Sequence, residues 1–307
     1  MTAPWTAEHR ISDALAAQLL EDTFPVLRPV RLELLGEGWD NVAYLVNGEL
    51  VFRFPRRQLA VPFLEKEHRL LPALAPRLPL PVPVPELFGQ PREGAYPWPF
   101  LGYRKLSGET ACRASLDDRE RTALAEPLAR FLSALHTFPP DDARRLGLPP
   151  DTIGKLDLSL RLPEVVERLA RIRALGLLPD VHPWLQILEA GADLRASEDL
   201  HVVHGDLYVR HLLLAPDRSL AGVIDWGDLH LGDPAVDLSV AHSFLPPGAQ
   251  EIFRAAYGEI DERRWKLAQL RAICHSAALV VYGHDIGDRD LLREGLRLFS
   301  SAKAAAR

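Results

Sequence analysis

The sequence predicts an α+β protein of two lobes: a small N-lobe over residues 1–105, an antiparallel β-sheet with one helix, and a mainly helical C-lobe over residues 106–307. Three observations predict it. Residues 29–54 read as three short strands in succession, a proline-dense stretch follows, and beyond Gly108 the apolar residues recur at helical spacing. A hydrophobic fraction of 47% over 307 residues is ample for a sizeable core.

A short amphipathic segment built on Ile11, Leu15, Leu19 and Leu20 comes first. Strands are expected over 29–35 and 41–46, joined by the loop Gly36-Glu37-Gly38-Trp39-Asp40. Asn47-Gly48 then turns the chain into a third strand over 49–54, because both residues tolerate the positive φ of a tight hairpin. A helix is expected from Val61 to about Leu74. Nine of the 26 prolines then fall between Pro72 and Pro99, which suits loops and edge strands, since proline has no backbone donor. The run from Phe100 to Leu106 reads as a short strand, and Ser107-Gly108 marks the boundary between lobes. In the C-lobe, Leu128, Phe131, Leu132 and Leu135 share one helical face.

Composition narrows the function. A formal net charge of -6 leaves no basic field for a nucleic acid. No apolar run is long enough for a membrane span or signal peptide, and Cys112 and Cys274 lack metal-ligand spacing, so reduced thiols in a cytoplasmic protein are expected.

The segment from Val202 to Trp226 carries the chemistry. Two apolar runs flank Pro216-Asp217 and should pair as a hairpin, which brings His211 beside Asp225 although fourteen positions separate them. Asp206 sits on the loop just before the first strand, facing the same point. Phosphoryl transfer needs such parts: a carboxylate to orient the attacking hydroxyl and take its proton, and ligands for a metal that gathers the phosphates. Asp206 fits the base, and Asp225 with His211 fits the metal.

His204-Gly205-Asp206, with His211 five positions after the aspartate and Ile224-Asp225-Trp226-Gly227-Asp228 further on, resembles the signature of the aminoglycoside phosphotransferase family, a branch of the protein-kinase-like fold. The matching order extends over most of the chain. The resemblance implies a bilobal kinase-like fold that moves the γ-phosphoryl group of ATP or GTP, with Mg2+ or Mn2+, to a hydroxyl of a small molecule. It implies Asp206 as catalytic base, Asp225 as the magnesium-binding aspartate and Asp228 on the substrate side. Histidine stands at 211 where most relatives carry asparagine, and imidazole is a poor magnesium ligand. Macrolide and gentamicin-type phosphotransferases resemble the chain in this, and those sub-branches often accept GTP.

In the N-lobe, alternation along Val51 to Phe54 sends Phe52 and Phe54 to one face and Arg53 to the other. In the next helix, Glu67 shares a face with Phe63, Leu70, Leu71 and Leu74, and a buried acid needs a cation. Arg53 is the candidate, and the pair resembles the kinase lysine-glutamate pair with arginine for lysine. By the same resemblance, Gly36 and Gly38 belong to the loop over the phosphates, and Tyr103 with Lys105 to the hinge that meets the purine.

Other residues receive simpler expectations. His136 should be a core histidine satisfied by nearby backbone, Arg210 a surface ion pair, and Asp233-Pro234 a structural support that fixes the catalytic loop. The acids Asp228, Asp233, Asp237, Glu251, Glu259, Asp261, Glu262, Asp285, Asp288, Asp290 and Glu294 are interleaved with arginines, and a few of them facing the acceptor would favour a polycationic aminoglycoside just above a macrolide. A housekeeping kinase of amino alcohols or sugars, and a nucleotide-binding pseudokinase suggested by Arg53 and His211, are the alternatives.

Overall fold

The computed structural model describes residues 7–38 and 40–305, so Trp39 of the first loop lies outside the described residues. The chain divides into two compact units, one formed by the residues up to Pro76 with Val82–Leu106, the other by Arg77–Pro81 and the residues from Ser107 onward.

In the first unit, α1 (Asp13–Thr23) starts at Ser12, whose hydroxyl accepts the Leu15 N–H. Strands β1 (Leu32–Glu37), β2 (Asn41–Val46) and β3 (Leu50–Pro55) are followed by helix α2 (Val61–Leu74) and by β4 (Leu87–Gly89) and β5 (Phe100–Arg104). All pairings are antiparallel, in the order β1-β2-β3-β5-β4. Asn47 and Gly48 both take positive φ, as their hairpin requires. The core gathers Phe52, Phe54, Tyr96 and Phe100 with Leu19 and Leu20 of α1.

Two expectations shift here. The first strand starts at Leu32, because Pro29 has no N–H and the Arg31 N–H is taken by the Asn47 side chain at 2.9 Å. It then runs through Gly36 and Glu37, past a bulge between Leu34 and Gly36, which shortens the loop to Gly38–Asp40. On α2, Leu64 takes the core place expected for Phe63. Phe63 sits exposed in the first turn, under the Lys66 ammonium.

The second unit contains β6 (Glu109–Thr110) and helices α3 (Asp118–Ala123), α4 (Ala125–His136), α5 (Pro140–Arg145), α6 (Leu158–Ala174) and α7 (His182–Ala190). Strands β7 (His201–Val203), β8 (Leu212–Leu214), β9 (Leu220–Val223) and β10 (His230–Gly232) precede helices α8 (Ala235–Phe244), α9 (Gln250–Tyr257), α10 (Glu262–Asp285) and α11 (Arg289–Ala305). Asp117, Asp157 and Asp261 cap α3, α6 and α10 by accepting first-turn N–H groups. Helix α8 is buried along nearly its whole length, and α4 buries Leu128, Phe131, Leu132 and Leu135 as its periodicity predicts. Residues 77–81 belong here because the Val223 N–H donates to the Pro81 carbonyl at 3.0 Å. Among the described residues no helix is long and apolar enough to cross a membrane.

Candidate active site

The hairpin β8–β9 is antiparallel with Leu212 opposite Val223, and its turn is closed by Asp217, which accepts the Ser219 N–H at 3.0 Å. That register puts His211 and Asp225 at the same end, where His211 Nε2 lies 3.3 Å from Asp225 Oδ2. Asp225 is exposed and holds a φ of +66°, a left-handed backbone uncommon outside glycine but more open to aspartate.

Asp206 is reached through Gly205, whose φ is +83° and whose missing Cβ would stand 2.4 Å from the Asp228 carbonyl oxygen, so only glycine fits. His204 is fully buried and pins the motif internally. Its Nδ1 accepts the Asp206 N–H at 3.3 Å and its Nε2–H donates to the Ile224 carbonyl at 3.1 Å, tying the loop of Asp206 to the residue before Asp225. Burial lowers the pKa of His204 and keeps this tautomer neutral.

The Asp206 carboxylate is partly exposed. Its Oδ1 lies 3.6 Å from His275 Nε2 and its Oδ2 3.9 Å from His211 Nδ1, and among the described residues neither oxygen accepts a hydrogen bond. Burial alone would raise its pKa, but the polar surroundings of the His275 and His211 rings and the charges of Lys155 and Arg271 outweigh burial and hold it below the usual carboxylate range. The site therefore presents an ionised carboxylate with free lone pairs.

His211 donates Nδ1–H to the Asp206 carbonyl at 2.7 Å and turns Nε2 to Asp225. Burial would lower its pKa, but the Asp225 hydrogen bond and charge and the Asp206 charge and carbonyl together raise it. With both nitrogens turned to acceptors, the ring is a support for Asp225. Among the described residues no three His, Cys, Asp or Glu side chains gather into a metal cage. Asp225 alone suits a magnesium ion that keeps waters and phosphate oxygens as its other ligands.

Asp228, expected on the substrate side, gives its carboxylate to Lys155 Nζ at 3.1 Å. The loop that carries Asp206 is held by Asp237 and not by Asp233. Asp237 is fully buried and accepts the His204 and Gly205 N–H groups at 2.7 and 2.8 Å, whereas Asp233 accepts from the Ser197 and Ala235 N–H groups and from Arg264 Nε. The cause is helical geometry: Asp233 precedes α8 and faces its first turn, while Asp237, one turn on, faces the loop. His136 is a core histidine, but its partners are the Tyr257 hydroxyl at 2.8 Å and Asp237 at 3.1 Å instead of nearby backbone. Arg210 forms the expected ion pair, with Asp288 at 2.5 Å. Several acids of the later helices are likewise paired, Glu262 with Arg254, Asp290 with Arg293, Asp285 with Arg171 and Glu294 with Arg121. Sequence reasoning missed Lys155, Arg271 and His275 altogether.

In the first unit, Arg53 Nη1 donates to both oxygens of the buried Glu67 at 2.7 and 2.9 Å. The Gly38 N–H donates to the Asn41 carbonyl at 2.9 Å, and its own carbonyl accepts from Arg56 Nη1 at 2.6 Å, while a Cβ on Gly36 would meet open space. Tyr103 lies opposite Val51 on β5. Lys105 is exposed, and its N–H is occupied by the Glu49 carbonyl at 2.8 Å.

A family model described as phosphotransferase enzyme family matches residues 31–273. Wild-type aminoglycoside 2'-phosphotransferase-IIIa, solved as its GDP complex, is 27% identical with a TM-score of 0.68, over 97% of this chain and 100% of that one. A GDP and kanamycin complex of APH(2")-IIIa is 27% identical with a TM-score of 0.69, over 94% of this chain and 98% of that one. Macrolide 2'-phosphotransferase type I, 22% identical with a TM-score of 0.60 over 94% and 97%, shares the fold. The α+β architecture is thus the protein-kinase-like one of these enzymes. Because the family match runs through both units and past the Asp206 and Asp225 segments, the chain belongs to the phosphotransferase enzyme family.

Proposed function

We propose that the chain moves the γ-phosphoryl group of ATP or GTP to a hydroxyl of a small molecule in the cytoplasm, with antibiotics of the aminoglycoside and macrolide types as the first acceptors to test. One observation carries this reading: Asp206 is ionised, partly shielded, fixed through its backbone by His204 and His211, and makes no side-chain hydrogen bond among the described residues. Such a carboxylate can accept the acceptor's hydroxyl hydrogen, orient the oxygen and take the proton as the new P–O bond forms.

Asp225 would hold Mg2+, with His211 fixing the carboxylate from behind. When bound, the ion offsets the phosphate charge. Arg53, oriented by Glu67, contacts phosphate, and the end of β1 with Gly36 and the loop that starts at Gly38 lie over it. At the hinge, the purine meets backbone groups of the Tyr103 segment other than the occupied Lys105 N–H.

The test is transfer to kanamycin-type and erythromycin-type acceptors with ATP and GTP across a salt series, read by mass spectrometry of the product. Acceptor-dependent phosphorylation is expected. Nucleotide binding without turnover on any alcohol would instead make the chain a pseudokinase. Transfer confined to simple amino alcohols or sugars would make it a metabolite kinase.

A further inference from the structure

Helix α10 carries a second feature beside the base. Arg271 lies one turn before His275, and residues four apart share a helix face, so the guanidinium stands on the side of α10 that meets Asp206. Arg271 is half-buried, its Nε is shielded from solvent, and among the described residues the guanidinium makes no hydrogen bond or ion pair. A guanidinium offers five donors; the shielded Nε–H has no acceptor, and the terminal nitrogens stay open to a ligand.

The neighbouring acids are already engaged. Asp228 holds Lys155 at 3.1 Å, and Glu164 serves both Arg161 at 3.4 Å and Arg168 at 3.3 Å. Asp151 accepts the Ile153, Gly154 and Lys155 N–H groups at 2.9, 3.1 and 2.7 Å. That leaves Asp206, whose lone pairs are needed for the reacting hydroxyl. An ammonium group on the α10 side of that hydroxyl would meet Lys155 and Arg271. A carboxylate would meet a planar fork of donors.

We propose that Arg271 is a specificity-determining residue that receives an anionic oxygen group, a carboxylate in the simplest case, on the alcohol whose hydroxyl lies at Asp206. This rests on the reading of Asp206 as base, and it ranks acceptors by the group beside the reacting hydroxyl, an anionic oxygen there above an ammonium.

The probes are glucuronate, glucuronamide and 6-amino-6-deoxyglucose, which differ in the group at one carbon. Their affinities for the full chain are measured by calorimetry, and their phosphorylation with ATP and GTP is measured in parallel. Glucuronate is expected to bind about tenfold more tightly than the ammonium sugar, the effect of one charge-assisted hydrogen bond. Arg271→Met should abolish that preference and Arg271→Lys should keep part of it, with melting temperatures taken to verify folding. Equal binding of the three sugars, no binding of glucuronate, preference for the ammonium sugar, or an equal loss for all three in Arg271→Met would overturn the proposal. A preference that depends on Arg271 without transfer from either nucleotide would leave the anion site standing and remove the phosphotransferase reading. Transfer to kanamycin that ignores Arg271 would do the reverse.

Discussion

Replacing Asp237 should damage stability and turnover together, although it touches neither nucleotide nor acceptor. Its carboxylate is fully buried and accepts the N–H groups of His204 and Gly205 and the His136 Nε2–H at 2.7, 2.8 and 3.1 Å. Burial would raise its pKa, but the His136 hydrogen bond, the nearness of the His136 and His204 rings and the Gly205 N–H outweigh burial and lower it. In Asp237→Ala two backbone donors lose their acceptor in a site with no water access. At about 1–3 kcal/mol per orphaned group the loss is roughly 2–6 kcal/mol, a large share of a typical domain's stability. Asp237→Asn should recover little, because its amide donors would face other donors. Urea denaturation with an unchanged m-value measures the stability term. The catalytic term follows from geometry: freeing the Gly205 N–H lets Asp206 shift, and a displacement of about 1 Å can lower turnover by roughly 100-fold. A loss under about 1 kcal/mol with turnover near wild type would refute the reasoning.

Asp206→Asn should abolish transfer while nucleotide affinity stays near wild type, and turnover within a few-fold of wild type would remove Asp206 as base. Asp225→Ala should weaken binding of the metal-nucleotide complex but not of nucleotide alone, and calorimetry with and without Mg2+ separates the two. Glu67→Ala leaves Arg53 without its buried partner and should destabilise the protein by about 3 kcal/mol while lowering nucleotide affinity; an unchanged melting temperature and Kd would count against the pair. Stability should also fall on mild acidification. Burial lowers the pKa of His242 from 6.5 to about 4, and burial with the Arg271 charge lowers that of His275 to about 3. Both values lie below those of the unfolded chain, so this stability is fully present above pH 6.5 and declines as pH falls. Between pH 6.5 and 5 each group accounts for about 2 kcal/mol. Flat stability over that window, or no flattening in His242→Phe, contradicts this.

The elements that were legible in the sequence are those set by local physics. Helix α2 spans Val61–Leu74 and β2 spans Asn41–Val46 as read, because periodicity and the Asn47-Gly48 turn act over a few residues. The His211–Asp225 approach was legible too, since a hairpin turn converts sequence order into register. So was the Arg53–Glu67 pair, because a core-facing acid requires a cation. The loop support was misassigned because Asp233 and Asp237 differ only by one turn of α8, and which of them faces the loop depends on how that helix packs. Lys155, Arg271 and His275 left no local signal at all. They surround Asp206 only because α10 and the segment before α6 pack beside its loop, and the rotation of a packed helix is decided by side chains far away in sequence. The phosphotransferase reading was therefore legible in short motifs, whereas the electrostatic surroundings of Asp206 exist only in the tertiary structure.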